Sequence, residues 1–179
     1  MQWRVRILTL LVLASVLMGC GKPAATLPVG TTPAIDPVYG HLTHAQPKLP
    51  TIKVWLGSEE MIAEIAHTEL AIRTGMMYRT NMAENEAMIF VFSPADVGPK
   101  SFYMRHCTVP LSAAYITPDG TIAEIIDLQP GNETGVNSQS SNLQFVLEVP
   151  QGWFARHSVR TGMLILTERG SLQETFFRR

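Results

Sequence analysis

The pattern of hydrophobic and polar positions divides the chain into three stretches. An apolar run covers residues 7–18, residues 21–50 show neither a period of two nor one of 3.6, and short apolar runs separated by turn residues begin at residue 51. Short runs of this kind are typical of β-strands, whereas a stretch without either period is typical of a linker. The sequence therefore predicts a signal segment, then a tether over residues 20–50, then a single β-rich domain over residues 51–179.

The elements of the domain follow from the same pattern. Gly57 and Ser58 separate two alternating runs and predict a hairpin, while Thr68 is a typical N-cap for a helix that runs to about residue 78. Strands are expected at 51–56, 61–67, 87–92, 101–107, 113–117, 121–127, 143–149 and 162–167, with a polar loop at 129–142 and a short helical segment at 152–157. Long crossover helices are missing from this pattern. We therefore expect an α+β fold: β-rich, with a curled, mostly antiparallel sheet or a small β-barrel and one main helix.

The first twenty residues predict export. Two arginines precede an apolar run that is too short to span a bilayer comfortably but has the length of a signal-peptide core, and Gly19-Cys20 follows it. This ending resembles the lipobox of bacterial lipoproteins, which implies cleavage after residue 19 and acylation of Cys20. An ordinary signal peptide and an uncleaved anchor are the alternatives. Two or three acyl chains hold a protein stably on a membrane, and Gly21 favours the outer membrane slightly, with the domain facing the periplasm.

Residues 21–50 contain six prolines and predict a flexible tether. Fully extended as polyproline, it would reach roughly 90 Å. His41 and His44 lie three residues apart and could share a metal ion, but no fixed backbone or third ligand is apparent. We expect them to be solvated linker histidines.

Composition limits the possible partners. Fourteen basic and fifteen acidic residues give a net charge of −1, so no excess of positive charge is available to bind nucleic acid. Two cysteines cannot form a disulfide framework or a four-thiolate zinc site. With Cys20 acylated, Cys107 is the remaining thiol.

Four blocks of residues carry a resemblance to a known family. They are Thr-Gly-Met-Met-Tyr-Arg at 74–79, Ala-Met-Ile-Phe-Val-Phe at 87–92, Ser-Phe-Tyr-Met-Arg-His-Cys-Thr-Val-Pro-Leu-Ser at 101–112 and Val-Leu-Glu-Val at 146–149. Their order and spacing over about residues 52–168 resemble those of the family called domain of unknown function 192, with this chain as a lipid-anchored bacterial member. The resemblance implies a compact β-barrel-like fold with a helix packed at one side, and no established reaction.

The chain also departs from the family pattern. The family commonly has Phe-Trp-Met-Lys-Asn-Thr followed by Pro-Leu-Asp, whereas this chain has Phe-Tyr-Met-Arg-His-Cys at 102–107 and Ser112 in place of the Asp. Met163 replaces a usual acidic residue. Any family chemistry that needs a carboxylate at position 112 is therefore expected to be lost or altered here.

Sulfur-bearing side chains suggest two kinds of chemistry. His106 next to Cys107 resembles a base and nucleophile, but neighbours on a strand point to opposite faces, so we expect Cys107 to be a buried small hydrophobic residue. Nine methionines, together with imidazole and thiol groups, would suit Cu(I) in an exported protein. The alternative is that the methionines fill the core.

A small pocket is the local hypothesis that the residues favour. The candidate ligand-binding residues are Arg79, Tyr103, Arg105, His106, Ser112 and Glu148. Arginine can hold a carboxylate or phosphate with two hydrogen bonds. The alternative is that Arg79 and Arg105 form structural ion pairs with Glu84, Glu86 or Glu148.

Two classes of function stay open. We favour an envelope binding or structural module whose ligand is a small molecule, a glycan or a protein, with no cofactor, no metal and no assigned catalytic residue. The alternative is an enzyme, hydrolase-like or other, that acts on envelope material with Glu148 or Asp127 as its carboxylate. A pocket that contains Glu148 without a compensating arginine would favour the enzyme, and an ion-paired Glu148 would oppose it.

Overall fold

The main feature of the fold is a strongly curled sheet of eight strands, in a computed structural model that describes residues 34–178. The strands are β1 Thr51–Leu56, β2 Glu59–Ala66, β3 Glu86–Val91, β4 Ser101–Phe102, β5 Leu111–Ile116, β6 Ile122–Leu128, β7 Val136–Asn137, β8 Phe145–Pro150, β9 Ile165–Thr167 and β10 Gly170–Ser171. The helices are α1 Glu69–Thr74, α2 Trp153–Arg156 and α3 Leu172–Phe176, and Pro94–Asp96 forms a 3₁₀ turn. The predicted signal peptide and Cys20 lie outside the described residues.

The order of the strands confirms the expected fold class. The large sheet runs β10-β9-β1-β2-β3-β8-β5-β6, and β4 pairs with β7 separately. Neighbouring strands are antiparallel except β2 and β3, which are parallel and are joined through α1, as a parallel pair requires a crossover. A bridge between Thr121 and Leu164 links the β6 end of the sheet to the start of β9. The two sides of the curled sheet are therefore joined only near this bridge. The sheet forms a half-barrel rather than a full barrel.

Each face of the sheet carries its own hydrophobic cluster, because successive side chains of a strand alternate between faces. The cluster that we call the first core includes Trp153 and Phe154 of α2 and Leu172 of α3. The second core packs α1 and the segment 102–109 against the other face. In β8, Phe145, Leu147 and Val149 belong to the first core and Val146 to the second. This alternation directs Glu148 to the second-core face.

Helix α1 begins as expected and ends earlier. The Thr68 hydroxyl accepts a hydrogen bond from the Ala71 backbone N–H at 3.2 Å, which confirms the predicted cap. The helix ends at Thr74 rather than near residue 78, because Gly75 has a φ of +47°. A Cβ at this position would also lie 3.3 Å from the Phe90 ring. Glycine therefore allows the chain to turn while it touches β3.

Two further parts of the domain differ from the prediction. The strand expected over 101–107 is limited to Ser101–Phe102, and turns follow it, with His106 at a φ of +54°. Residues 106 and 107 are therefore not neighbours on a strand, and the alternation expected for them does not apply. Helix α3 was not expected, and a capping box between Ser171 and Glu174 starts it.

The predicted tether differs from the structure in its last third. His41 and Leu42 are buried, and the Leu42 N–H donates to Thr74 Oγ1 at 3.0 Å. The Gln46 side-chain amide donates to the Gly75 carbonyl oxygen at 2.8 Å. The prediction of a solvated His41 is wrong, whereas His44 is exposed. Individual hydrogen bonds that involve side chains hold this irregular segment on the domain. Because these contacts do not repeat at a regular spacing, they produce no hydrophobic period in the sequence. Within residues 34–178, no helix has the length and apolar character needed to cross a membrane.

Candidate functional site

A cavity of about 670 Å³ lies on the second-core face of the sheet. Helix α1 and the turn after it provide Ile72, Met76 and Met77, and β3 provides Phe90. The segment after β3 and the turns at 102–107 complete the wall. The polar or titratable side chains along it include Glu69, Arg73, Asp96, Lys100, Cys107 and Glu148. The cavity has the volume of a small-molecule site and mixes apolar walls with a few polar groups.

Glu148 is the buried acid of this cavity. On β8, Glu148 lies opposite Met88 of β3 and Ala113 of β5, and neither residue has a polar side chain. Glu148 is 4% exposed, and its Oε2 has no hydrogen-bond partner among the described residues. Burial raises the pKa of this carboxyl to about 8. Glu148 is therefore mainly neutral at pH 7 and can donate a hydrogen bond.

Cys107 lines the same cavity as a buried thiol. It is 6% exposed and forms no disulfide. Burial, and secondly the nearby Glu148 carboxyl, raise its pKa to about 12. Because the thiolate is the nucleophilic form, this environment disfavours a catalytic cysteine. The expectation of a buried, small hydrophobic residue is confirmed.

Two cations lie along the cavity wall, and both have partners other than Glu148. Lys100 Nζ donates to the carbonyl oxygens of Asp96 at 2.6 Å and Gly98 at 3.2 Å, and it lies 4.5 Å from the centre of the Phe92 ring. Arg73 pairs with Glu69 across one helical turn at 2.9 Å. No salt bridge joins Glu148 to a cation within the part of the chain that the structure describes.

Arg79 lies outside the cavity lining and has a structural partner. Its Nη1 and Nη2 donate to Glu64 Oε1 at 2.5 Å and Oε2 at 2.8 Å, and the two side chains are 14% and 10% exposed. Burial by itself would raise the pKa of Glu64, but the hydrogen bonds from Arg79 and the Leu49 N–H outweigh it, so the pKa lies below its usual value. The ion-pair alternative is the one that the structure contains, although Glu64 was not among the acids considered.

Arg105 also forms contacts that keep it away from the cavity. Its guanidinium lies 3.7 Å from the centre of the Tyr39 ring and 5.9 Å from that of Tyr103. Its Nη2 pairs with Glu133 at 3.1 Å, so its acidic partner again differs from those considered. Through this cation–π contact, Arg105 packs residues 34–50, which we call the N-terminal segment, onto the domain.

His106 belongs to a cluster of aromatic side chains. It stacks on Tyr78 with ring centres 4.8 Å apart, and its ring centre is 5.7 Å from that of His41. His41 Nδ1 contacts the Leu42 carbonyl oxygen at 2.7 Å, and its Nε2 has no partner among the described residues. This cluster joins the N-terminal segment to the turn at 103–110 and is not part of the cavity lining.

Ser112 connects two elements by hydrogen bonds. Its hydroxyl donates to Asp127, the residue directly opposite it on β6, and accepts from the Gly152 N–H at 2.8 Å. The family pattern has an aspartate at position 112, and here the carboxylate of Asp127 lies directly opposite that position on β6. Asp127 is exposed on β6 and is not among the residues that line the cavity with Glu148.

Of the six predicted site residues, Tyr103 and Glu148 line the cavity, whereas Arg79, Arg105, His106 and Ser112 do not. Two functional assignments were missed from the sequence: Lys100 as a wall residue and Glu64 as the partner of Arg79. Glu64 carried a signal similar to that of Glu148, since each acid lies between two apolar residues of its strand. Across residues 34–178, no group of three or more His, Cys, Asp or Glu side chains is placed to hold a metal ion.

Comparisons with known proteins agree with this fold. A structure from Sinorhizobium meliloti 1021, described as "a putative transcription regulator", is 26% identical, has a TM-score of 0.63, and the match covers 68% of this chain and 97% of that one. A protein of unknown function from Novosphingobium aromaticivorans DSM 12444 is 26% identical with a TM-score of 0.59, and the match covers 76% of this chain and 93% of that one. No curated protein matches the sequence. The sequence model of DUF192, described as "Uncharacterized ACR", matches residues 52–167, and the chain belongs to this family.

Proposed function

We propose that the domain binds a small organic molecule in the second-core cavity, and that Glu148 meets the polar group of that molecule. The observation that carries the proposal is a carboxyl group that is buried in the cavity wall and has an oxygen without a partner among the described residues. A buried polar group without a hydrogen bond costs about 1–3 kcal/mol. No contact within residues 34–178 offsets this cost at Glu148, whereas the other buried acid, Glu64, is fully paired. A bound ligand supplies the missing partner.

Methionine methyl groups offer a direct test of this proposal. Met76 and Met77 line the cavity, whereas Met61 lies in the first core, on the opposite face of the sheet. In the full chain with ¹³C-methyl-methionine, cavity ligands should shift the signals of Met76 and Met77 and leave that of Met61 unchanged. A library of small organic molecules is the probe. If no compound at about millimolar concentration, the weak end of specific binding, shifts Met76 or Met77, the proposal is wrong.

We further propose that the chain is a lipoprotein of the bacterial envelope, anchored to a membrane through Cys20. The arginines, the apolar run and the Gly19-Cys20 ending of the first twenty residues support the anchor. Gly21 favours the outer membrane slightly, with the domain in the periplasm. Nucleic acid is not proposed as a partner, because fourteen basic residues against fifteen acidic ones leave no positive excess.

The two cysteines supply a matched pair of variants for the anchor. Cells that express the wild-type chain or Cys107→Ser should incorporate labelled palmitate into it, and the chain should partition into detergent. Cys20→Ser should abolish both results, because it removes the acylated sulfur. Equal labelling of Cys20→Ser, or an intact leader on the wild-type chain in envelopes, would contradict the lipoprotein proposal.

An enzymatic function is the second candidate, and it rests on the same acid. Glu148 lies in a cavity without a compensating arginine, which is the arrangement that favours a general acid. Hydrolysis of esters, amides or glycosides that is abolished by Glu148→Gln would establish this function. Turnover that is equal in the wild type and the variant would exclude Glu148 from the chemistry.

Copper binding is a weaker hypothesis, supported by the presence of Met76, Met77 and Cys107 in one cavity wall. The raised pKa of Cys107 opposes it, because a thiolate is the stronger ligand. An anaerobic Cu(I) titration of the chain with Cys20→Ser tests the hypothesis. Affinity tighter than about micromolar that is lost in the additional Cys107→Ser variant would establish a copper site.

A further inference from the structure

We infer that the ligand of the cavity is an organic amine whose ammonium group pairs with Glu148, an inference that rests on the small-molecule function proposed above. The other residues of the cavity wall help to decide which charge the cavity accepts. Met76 and Met77 present thioethers, and Phe90 and Phe102 present aromatic rings. Thioether sulfur accepts hydrogen bonds weakly, and the faces of aromatic rings attract cations. The interior therefore offers acceptors and electron-rich surfaces.

The charges along the wall favour the same sign of ligand. Its cations are Arg73 and Lys100, and its acids are Glu69, Asp96 and Glu148. With Glu148 ionised, two positive and three negative side chains leave the wall with a net charge of −1. His67, Tyr103 and Cys107 are its other titratable groups. One ammonium group neutralises this charge.

Both cations of the wall already have partners, which reduces the attraction that they offer to an anionic ligand. Lys100 is held by two carbonyl oxygens and by the Phe92 ring, and Arg73 is held by Glu69. An anion in the interior would also add to the net negative charge that the wall carries when Glu148 is ionised. A carboxylate or phosphate compound is therefore disfavoured, in contrast to the ligand class that the arginines suggested from the sequence.

Binding couples to the loss of a proton. An ammonium ligand meets the neutral carboxyl of Glu148, the carboxyl O–H bond breaks, the proton passes to the buffer, and an ammonium–carboxylate pair forms. With the Glu148 pKa at about 8, roughly 0.9 proton should be released per amine bound at pH 7. Between about pH 7 and pH 9 the affinity for a strongly basic amine should rise about tenfold, since the ionised fraction of Glu148 rises by that factor.

A matched series of compounds tests the inference on the full chain in detergent. Aryl-alkyl amines, the corresponding alcohols and the corresponding carboxylates share one carbon skeleton and differ in charge. Calorimetry in two buffers of different ionisation enthalpy measures both affinity and proton release. We expect amines to bind at least about tenfold (about 1.4 kcal/mol) more tightly than alcohols, and carboxylates most weakly.

Two variants locate the effect. Glu148→Gln should lose the preference for amines and the proton release, while the Met61 methyl signal shows that the variant is folded. Glu59→Gln is the control, because Glu59 is an acid that contacts His157 outside the cavity, and it should bind amines as the wild type does. If alcohols or carboxylates bind the wild type as tightly as amines, the inference is wrong and the small-molecule function stands. If no compound of the series or of the methionine screen binds, both are wrong.

Discussion

Replacement of Glu148 by glutamine should change how the stability of the protein depends on pH. Burial raises the pKa of Glu148 from 4.5 to about 8, so the folded state holds this proton more tightly than the unfolded state does. Stability that depends on the proton is present in full below pH 4.5, falls as the pH rises toward 8, and is lost above it. The amide that replaces the carboxyl in Glu148→Gln cannot ionise, so the variant lacks this dependence.

The size of the effect follows from the two pKa values. Each pKa unit corresponds to about 1.4 kcal/mol, so the interval from 4.5 to about 8 corresponds to a total of about 5 kcal/mol. Between about pH 5 and pH 9 the free energy of unfolding of the wild type should fall by about 4 kcal/mol relative to that of Glu148→Gln. The buried amide of the variant adds a constant offset, so only the slope with pH is diagnostic.

Urea unfolding at a series of pH values measures this difference, because every other titrating group is shared by the two proteins. Glu64→Gln is an informative control of opposite sign. The pKa of Glu64 is lowered, so its stabilising effect is present above the usual pKa and is lost as the pH falls through the lowered value. A difference between wild type and Glu148→Gln that does not vary between about pH 5 and pH 9 would refute the buried, unpaired state of Glu148.

Three other predictions do not depend on the identity of a ligand. Arg79→Ala should reduce the free energy of unfolding by about 3–5 kcal/mol in urea unfolding, because it leaves Glu64 buried without its partner; a loss below about 1 kcal/mol would show that the pair is solvated. Ser112→Ala should cost about 1–3 kcal/mol in the same assay, since the Gly152 N–H loses its acceptor, whereas the exposed Ser58→Ala should change stability by less than about 0.5 kcal/mol. Cys107, in a chain with Cys20→Ser, should react with a disulfide reagent at pH 8 at least about a thousandfold more slowly when folded than in urea, because its thiolate is scarce; equal rates would show an accessible thiol.

Strand β1 was predictable because burial on one sheet face imposes a period of two. Strands β3, β5 and β8 are buried on both faces, and continuous apolar runs bounded by turn residues predicted them. The hairpin at Gly57 and Ser58 and the cap at Thr68 followed from local residue chemistry, and the structure contains both. The segment at 103–107 was wrongly predicted as a strand. Met104 and Cys107 are buried on either side of a turn at residues 105 and 106, so the composition of the segment resembles that of a strand although it forms none.

The candidate site was predictable only in part. Glu148 was identifiable as an acid within an apolar strand, but the lack of a partner among the described residues depends on Met88 and Ala113 in the neighbouring strands. The partners of Arg79 and Arg105, Glu64 and Glu133, lie 15 and 28 residues away along the chain. The local sequence pattern does not predict which acid pairs with which arginine, because the pairing depends on the curl of the sheet and on the turn at 103–110.

Direct observation of the protonation state of Glu148 decides whether the cavity holds a neutral buried acid that accepts an amine. In the full chain with ¹³C-labelled glutamate carboxyl groups, the signal of Glu148, assigned by its loss in Glu148→Gln, reports ionisation at this residue. We expect a neutral carboxyl at pH 7, a titration near pH 8, and conversion to the ionised form at pH 7 when an aryl-alkyl amine occupies the cavity. A carboxyl that titrates near its ordinary value of 4.5, or one that stays neutral while an amine is bound, would show that this description of the site is wrong.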